Sequence, residues 1–229
     1  CECFAGFAGT RCETQAVQYL DPGAMVTLDL VHGLKQRPGR PTARFRSGRP
    51  RYRRAFDLAD PDVQVYVKDS CLNAVGKSKL KANTAHSVCL LDIFETKFLA
   101  PKGLELPVEP RKFVELFAEF RQSNVLLDGS RVEEWIGFDC ATNEATWIRD
   151  HIVLTVRRDS SVEDRLEIFG EWRDYVDERA DGRPAGVGRV LLASSQEVMA
   201  SLEANIVENS LIAATLSVCS CFFCVLALT

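Results

Sequence analysis

Apolar residues alternate with polar ones over residues 24–34 (AMVTLDLVHGL). Val26, Leu28 and Leu30 fall on one side, Thr27 and Asp29 on the other, so the segment predicts a strand that Gly33 ends. The period then lengthens. Asp60-Pro61-Asp62 combines an N-cap, a proline at the first helical position and an acid at the positive end of the dipole, and Val63, Val67, Cys71 and Ala74 follow at helical spacing. A second helix is predicted over Val88–Leu99 with Leu91, Phe94 and Phe98 inward. A third starts at Pro110 and buries Phe113, Leu116, Phe117 and Phe120. Glu133–Phe138 and Thr146–Val156 read as strands on either side of Asn143, the second carrying Ile148, Ile152, Val153, Leu154 and Val156. Ser160-x-x-Glu163 reads as a capping box opening a helix with Val162, Leu166, Phe169, Trp172 and Val176 on one stripe, which Gly182 and Pro184 end. Val190–Leu192 is a short strand. Ser194-x-x-Glu197 is a second capping box, from which a helix bearing Val198, Leu202 and Ile206 runs on into an uncharged segment. Helices returning between strands predict an α+β class, specifically a ferredoxin-like, split βαβ layer with helices on one face of the sheet.

The uncharged segment changes the picture. From Asn209 to Thr229 the chain reads NSLIAATLSVCSCFFCVLALT, and its 21 residues carry no charge. As a helix it would be ~31 Å long, the thickness of a bilayer's hydrocarbon core. A transmembrane helix is the preferred reading, marked by Asn209, Ser210, Leu211, Phe222, Phe223 and Leu228; a buried core helix or a cleaved anchor signal is the alternative. Cys219, Cys221 and Cys224 would then be thiols in lipid. The chain's 26% charged and 46% apolar residues are those of a folded protein and exclude wholesale disorder. The net charge of −4 is a composite. Residues 35–54 hold nine basic side chains and no acid, so setting them aside leaves −13 on the rest. That stretch, with three prolines and no periodicity, reads as a solvated insertion in preference to an arm for anionic headgroups or acidic glycans.

Catalytic constellations are missing. Gly76-Lys77-Ser78 lacks the glycine five positions earlier that a phosphate loop needs, and neither Gly-x-Ser-x-Gly nor His-Glu-x-x-His occurs. His32, His86 and His151 are scattered. Cys71, His86 and Cys89 lack a fourth ligand for zinc. The expectation is a non-enzyme with no catalytic residues, no cofactor and no metal. Nucleic acid is not an expected partner.

The opening Cys1-Glu2-Cys3, Gly6-Phe7, Gly9 and Cys12-Glu13 resembles the C-terminal half of an EGF-like module (residues 1–13), a chance cysteine cluster being the alternative. That resemblance implies a Cys3–Cys12 bridge, a partner for Cys1 outside this chain and an oxidising compartment. A linker would follow over 14–23, with the α/β domain over 24–193 and a helical lead-in over 194–208. Residues 1–208 would be extracellular or lumenal, most simply at the plasma membrane. In such a compartment a Cys71–Cys89 disulfide is preferred over free thiols, leaving Cys140 odd.

Three segments carry a wider resemblance: FDLADPDVQVYVKDSC, HSVCLLDIF and GLELPVEPRKFVELFAEF, over residues 56–120. With TVRRDSSVEDRLEIFGEWRDYV and the final helix, their order resembles the extracellular loop of the Patched and Dispatched group of resistance-nodulation-division (RND) transporters. The similarity spans roughly residues 20–229. It implies a porter-type domain of a multi-span permease, with transport or sensing of a lipid, a sterol or a lipidated protein ligand as the function. It also implies membrane lipid and the remaining transmembrane bundle as partners, and a helix adjoining a sterol-sensing-like bundle. The rival reading is the ectodomain of a single-span, EGF-containing adhesion or signalling receptor.

Overall fold

The computed structural model describes residues 7–8, 14–15, 24–34, 55–122, 132, 135–138 and 144–228, and the side chains at 7–8, 14–15 and 220–228 lie outside that description. Two short strands, β1 (Phe7–Ala8) and β2 (Thr14–Gln15), pair antiparallel near the start. Cys1, Cys3, Cys12 and Cys140, the segment 35–54, and Glu133 and Glu134 fall outside the described residues.

The body is α+β, built on a four-stranded antiparallel sheet of order β4-β5-β3-β6. Its strands are β3 (Met25–His32), β4 (Ile136–Phe138), β5 (Ala145–Arg157) and β6 (Leu191–Ala193). The long central pair runs from Met25 opposite Arg157 to His32 opposite Ile148. The helices α1 (Pro61–Gly76), α2 (Leu90–Ile93) and α3 (Pro110–Gln122) separate β3 from β4, and α4 (Val162–Glu178) separates β5 from β6. Each crossover skips one strand: β5 lies between β3 and β4, and β3 lies between β5 and β6. The alternation in β3 and β5 places Val26, Leu28 and Leu30 with Ile148, Ile152 and Leu154 in one core, together with Val63, Val67 and Ala74 of α1 and Phe169 and Trp172 of α4. Gly33 ends β3 at φ +88°, where a Cβ would meet the Thr146 carbonyl oxygen at 2.5 Å, so both its conformation and the close strand approach require glycine.

The helix starts show where local signals hold. Asp60 caps α1 as its pattern predicts, its carboxylate accepting from the Asp62 amide at 2.9 Å. The capping box of α4 is shifted by one residue: Ser161, not Ser160, is the cap, its hydroxyl oxygen accepting from the Asp164 amide at 3.0 Å. Ser160 is held in the turn that follows β5, its amide donating to the Arg157 carbonyl at 3.2 Å, which leaves Ser161 as the extended cap residue. The stripe of α4 also turns: Ile168, Tyr175 and even Arg165 are buried, while Val162 and Leu166 are only half-buried.

The predicted helix Val88–Leu99 is not one α-helix. Val88 belongs to the sheet, exchanging backbone hydrogen bonds with His151. One turn of α-helix follows, then a π-helical stretch over Phe94–Leu99 and a 3₁₀ turn over Ala100–Lys102. The wider turn stacks Phe94 on Phe98, with centroids 5.6 Å apart. Phe94 also meets Phe113, Phe117 and Phe120 of α3 at 5.6, 5.0 and 5.1 Å. Leu116, expected inside, is half-buried. A Cys71–Cys89 disulfide, with Cα atoms 5.6 Å apart, ties α1 to the start of α2. Closing so short a loop contributes ~3 kcal/mol by restricting the unfolded chain.

Candidate functional site

The last helix, α5, runs unbroken from Ser195 to Leu228. Its start does not use the predicted Ser194-x-x-Glu197 box. The Ser194 hydroxyl donates to the Thr27 carbonyl at 2.7 Å and accepts weakly from the Gln196 amide, while the Gln196 side-chain carbonyl accepts from the Thr27 amide at 2.7 Å. Glu197 is therefore not a cap partner; it pairs with Arg173 of α4. Nearly two turns further on, Glu203 pairs with Arg165, a side chain that is only 10% exposed. Ala200, between them, is fully buried against the domain. The first three turns of α5 are thus fastened to β3 by hydrogen bonds and to α4 by two ion pairs. Arg165, with its buried head group, is the stronger anchor, because a charge out of water depends on its partner more than an exposed one does.

Beyond Glu203 the helix leaves the domain. Ile206, Val207, Leu211, Ile212, Leu216 and Val218 are exposed by half or more. The hydroxyls in this stretch are satisfied within the helix: Ser210 donates to the Ile206 carbonyl at 2.7 Å and Thr215 to that of Leu211 at 2.8 Å. Asn209, Ser210 and Leu211 lie where α5 emerges, and Cys219 is an exposed free thiol. Phe222, Phe223 and Leu228 lie on the same helix, with side chains outside the description. Among the described residues no helix is long and apolar enough to cross a membrane.

The core holds a second polar constellation that the sequence reading did not single out. His32 and Asp150 are buried on the helix-facing side of the sheet, His32 Nε2 3.8 Å from Asp150 Oδ2. Asp150 Oδ1 accepts from the Leu90 amide at 2.8 Å, so the strand carboxylate caps α2 beside the disulfide. Its other oxygen and both His32 nitrogens have no hydrogen-bond partner among the described residues. Burial pushes Asp150 up to about 7, with the Leu90 amide opposing and Asp29 adding to the rise. Burial, helped by Arg179, holds His32 down at about 3. Both groups are therefore neutral in mildly acidic solution. Around them Tyr66 meets His32 edge-on at 6.2 Å and donates to the Arg179 carbonyl, and Tyr175 donates to the Ser70 carbonyl. The available signal was parity: His32 continues the even positions of β3, and Asp150 sits between Ile148 and Ile152.

On the other face of the sheet His151 Nδ1 lies 2.7 Å from Asp29 Oδ1, with Arg149 3.5 Å from the same carboxylate. No cluster of three metal-ligating side chains occurs among the described residues. Cys89, a candidate zinc ligand with Cys71 and His86, is consumed by the disulfide. Lys77, the lysine of the phosphate-loop look-alike, pairs with Glu178 at 2.9 Å and lies over the Tyr175 ring. No protein-family model matches the chain, and no curated protein is significantly similar to it.

Proposed function

We propose that the chain is the extracellular porter-type domain and the following membrane helix of a Patched- or Dispatched-like permease, and that α5 relays movement of the domain to a transmembrane bundle. The observation that carries this reading is the unbroken path of α5. One helix is clamped to the sheet and α4 at its start and becomes uncharged from Asn209 on, with no glycine or proline between. A stiff rod of this kind transmits rotation, where a flexible linker would absorb it. The internally satisfied hydroxyls of Ser210 and Thr215 support lipid as its surroundings, since lipid offers no other partner. The strand order, with each crossover skipping a strand, supports the ferredoxin-like, split βαβ form of the body. The disulfide supports an oxidising, extracellular or lumenal location. The cargo class in this reading is a lipid, a sterol or a lipidated protein. The chain carries no catalytic role, and the permease's ion-coupling carboxylates lie in spans other than this one, which has no ionisable acid.

The test is cysteine labelling on intact cells expressing the full-length protein. A membrane-impermeant maleimide should label Met199→Cys and spare Leu216→Cys until detergent is added. Equal labelling at both positions would overturn the membrane assignment. A complete polypeptide with only this one span would overturn the permease reading in favour of the single-span receptor.

A further inference from the structure

Between the first turns of α4 and the stretch of α5 beyond Glu203 lies a groove of about 620 Å³. Val162 and Leu166 form one wall, four residues apart on α4. Val207 and Leu211 form the other, four apart on α5. Two apolar ridges at helical spacing, one on each helix, make a seat into which a third helix packs. The rim has one sign. Glu163 and Glu167 line the α4 edge and Glu208 the α5 edge, and none of the three has a hydrogen-bond or ion-pair partner among the described residues. This contrasts with Glu197 and Glu203 on the same helix, which are both engaged by arginines. Glu163 also faces the positive end of α4, but Glu167 and Glu208 have no such role.

We propose that this groove is the docking site of a cationic amphipathic helix, seated by its apolar seam and held by basic residues flanking that seam against Glu163, Glu167 and Glu208. The arrangement follows coiled-coil logic, in which apolar seam positions supply the contact and flanking charges select the partner. Recognition of a helix in a groove needs anchors at successive turns, and the two walls offer them. An acidic rim excludes an acidic helix and anionic headgroups alike. The proposal rests on the α4–α5 geometry and, for its test, on α5 being held in a bilayer; it stands whether the chain belongs to a permease or to a single-span receptor.

The experiment uses the chain in nanodiscs of zwitterionic lipid and two fluorescent 18-residue probes, one an amphipathic Leu/Lys helix, the other its Leu/Glu counterpart. Anisotropy should show the Leu/Lys probe binding the chain more tightly than empty nanodiscs, with affinity falling as salt rises. The combined Glu163→Gln, Glu167→Gln and Glu208→Gln variant should bind it at least tenfold more weakly. Leu166→Ala should weaken binding several-fold at any salt concentration. Three results overturn the proposal: equal binding of the Leu/Glu probe, undiminished affinity in the triple variant, or binding no tighter than to empty nanodiscs, which would assign the probe to lipid. Retention of the Cys71–Cys89 bridge in every variant verifies the fold. None of these outcomes alters the labelling contrast between positions 199 and 216, so the two readings fail separately.

Discussion

Two parts of one core are built on opposite principles. Under α3, five phenylalanines meet with no polar atom among their side chains: Phe94, Phe98, Phe113, Phe117 and Phe120. Against the middle of the sheet, α1 and α4 enclose His32, Asp150, Tyr66, Ser70 and Tyr175, with Arg179 at the edge. The aromatic part is held by volume and area, which are indifferent to pH. The polar part is held by hydrogen bonds and by the neutral forms of two ionisable groups. Most buried polar atoms there are paired: Tyr66, Ser70 and Tyr175 all bond to backbone carbonyls. Arg179 Nε and the His32–Asp150 pair are the exceptions among the described residues, and the pair keeps its place by shedding charge.

Cutting a hole in the aromatic part should have the largest effect. Phe94 is fully buried and touches four other rings. Phe94→Ala is expected to lower unfolding stability by ~3–5 kcal/mol, a transfer loss plus a cavity that the surrounding rings cannot fill. Urea unfolding at pH 5 and at pH 8 should give the same loss at both. A loss that differs by more than ~1 kcal/mol between them would show that the two parts of the core are coupled.

The polar part should respond to pH in a way only the pair explains. In the unfolded chain Asp titrates near 3.9 and His near 6.5. Asp150, raised to about 7, makes the folded state bind a proton more tightly; that favourable contribution is full below ~3.9 and fades as pH rises toward 7. His32, lowered to about 3, makes the folded state refuse a proton; that penalty is full below 3 and lifts as pH rises toward ~6.5. Between ~4 and ~6.5 the unfolded pair carries one proton on His and the folded pair one on Asp, so the slopes cancel and stability stays flat. Single substitutions unmask each half. Asp150→Asn should leave stability rising with pH across this window, and His32→Phe should leave it falling, each by up to ~1.4 kcal/mol per pH unit. Parallel, flat curves for both variants would sink this account.

The aromatic part was legible in the sequence because its residues lie on two neighbouring helical patterns. Even there, the π-helical turn that stacks Phe94 on Phe98 was not, since α and π spacing share the same apolar positions over a single turn. The polar part was not legible because its members are 118 residues apart, and only strand register brings Asp150 opposite Leu30 and diagonal to His32. Gln64 was hidden for the same reason. It reads as one polar residue in a helix, yet it is fully buried and clamps the chain at Val108 by accepting from its amide and donating to its carbonyl. The unbroken course of α5 was legible, since nothing between Ser195 and Leu228 breaks a helix. Which side of it the domain holds was not, because Glu197 and Glu203 look like any solvated acids until α4 places arginines beside them.

The joint between the domain and α5 lies outside both parts of the core, and it supplies the smallest and most local test. Glu203→Gln keeps the side chain's size but leaves the Arg165 guanidinium buried beside a neutral amide, while Arg165 Nε already has no partner among the described residues. The loss is expected to be ~1–2 kcal/mol, because Glu203 is 42% exposed and water can replace part of what it gave. Glu197→Gln should lose less, about 0.5 kcal/mol, since Arg173 is 55% exposed. Hydrogen exchange read by mass spectrometry separates this from a global effect. Amides of residues 197–204 should exchange roughly tenfold faster in Glu203→Gln, while those of β3 and β5 keep their wild-type protection. Faster exchange throughout the sheet would mean that α5 is part of the domain's own cooperative unit. Unchanged exchange at 197–204 would mean that the Thr27, Ser194 and Gln196 hydrogen bonds hold the helix without help from α4.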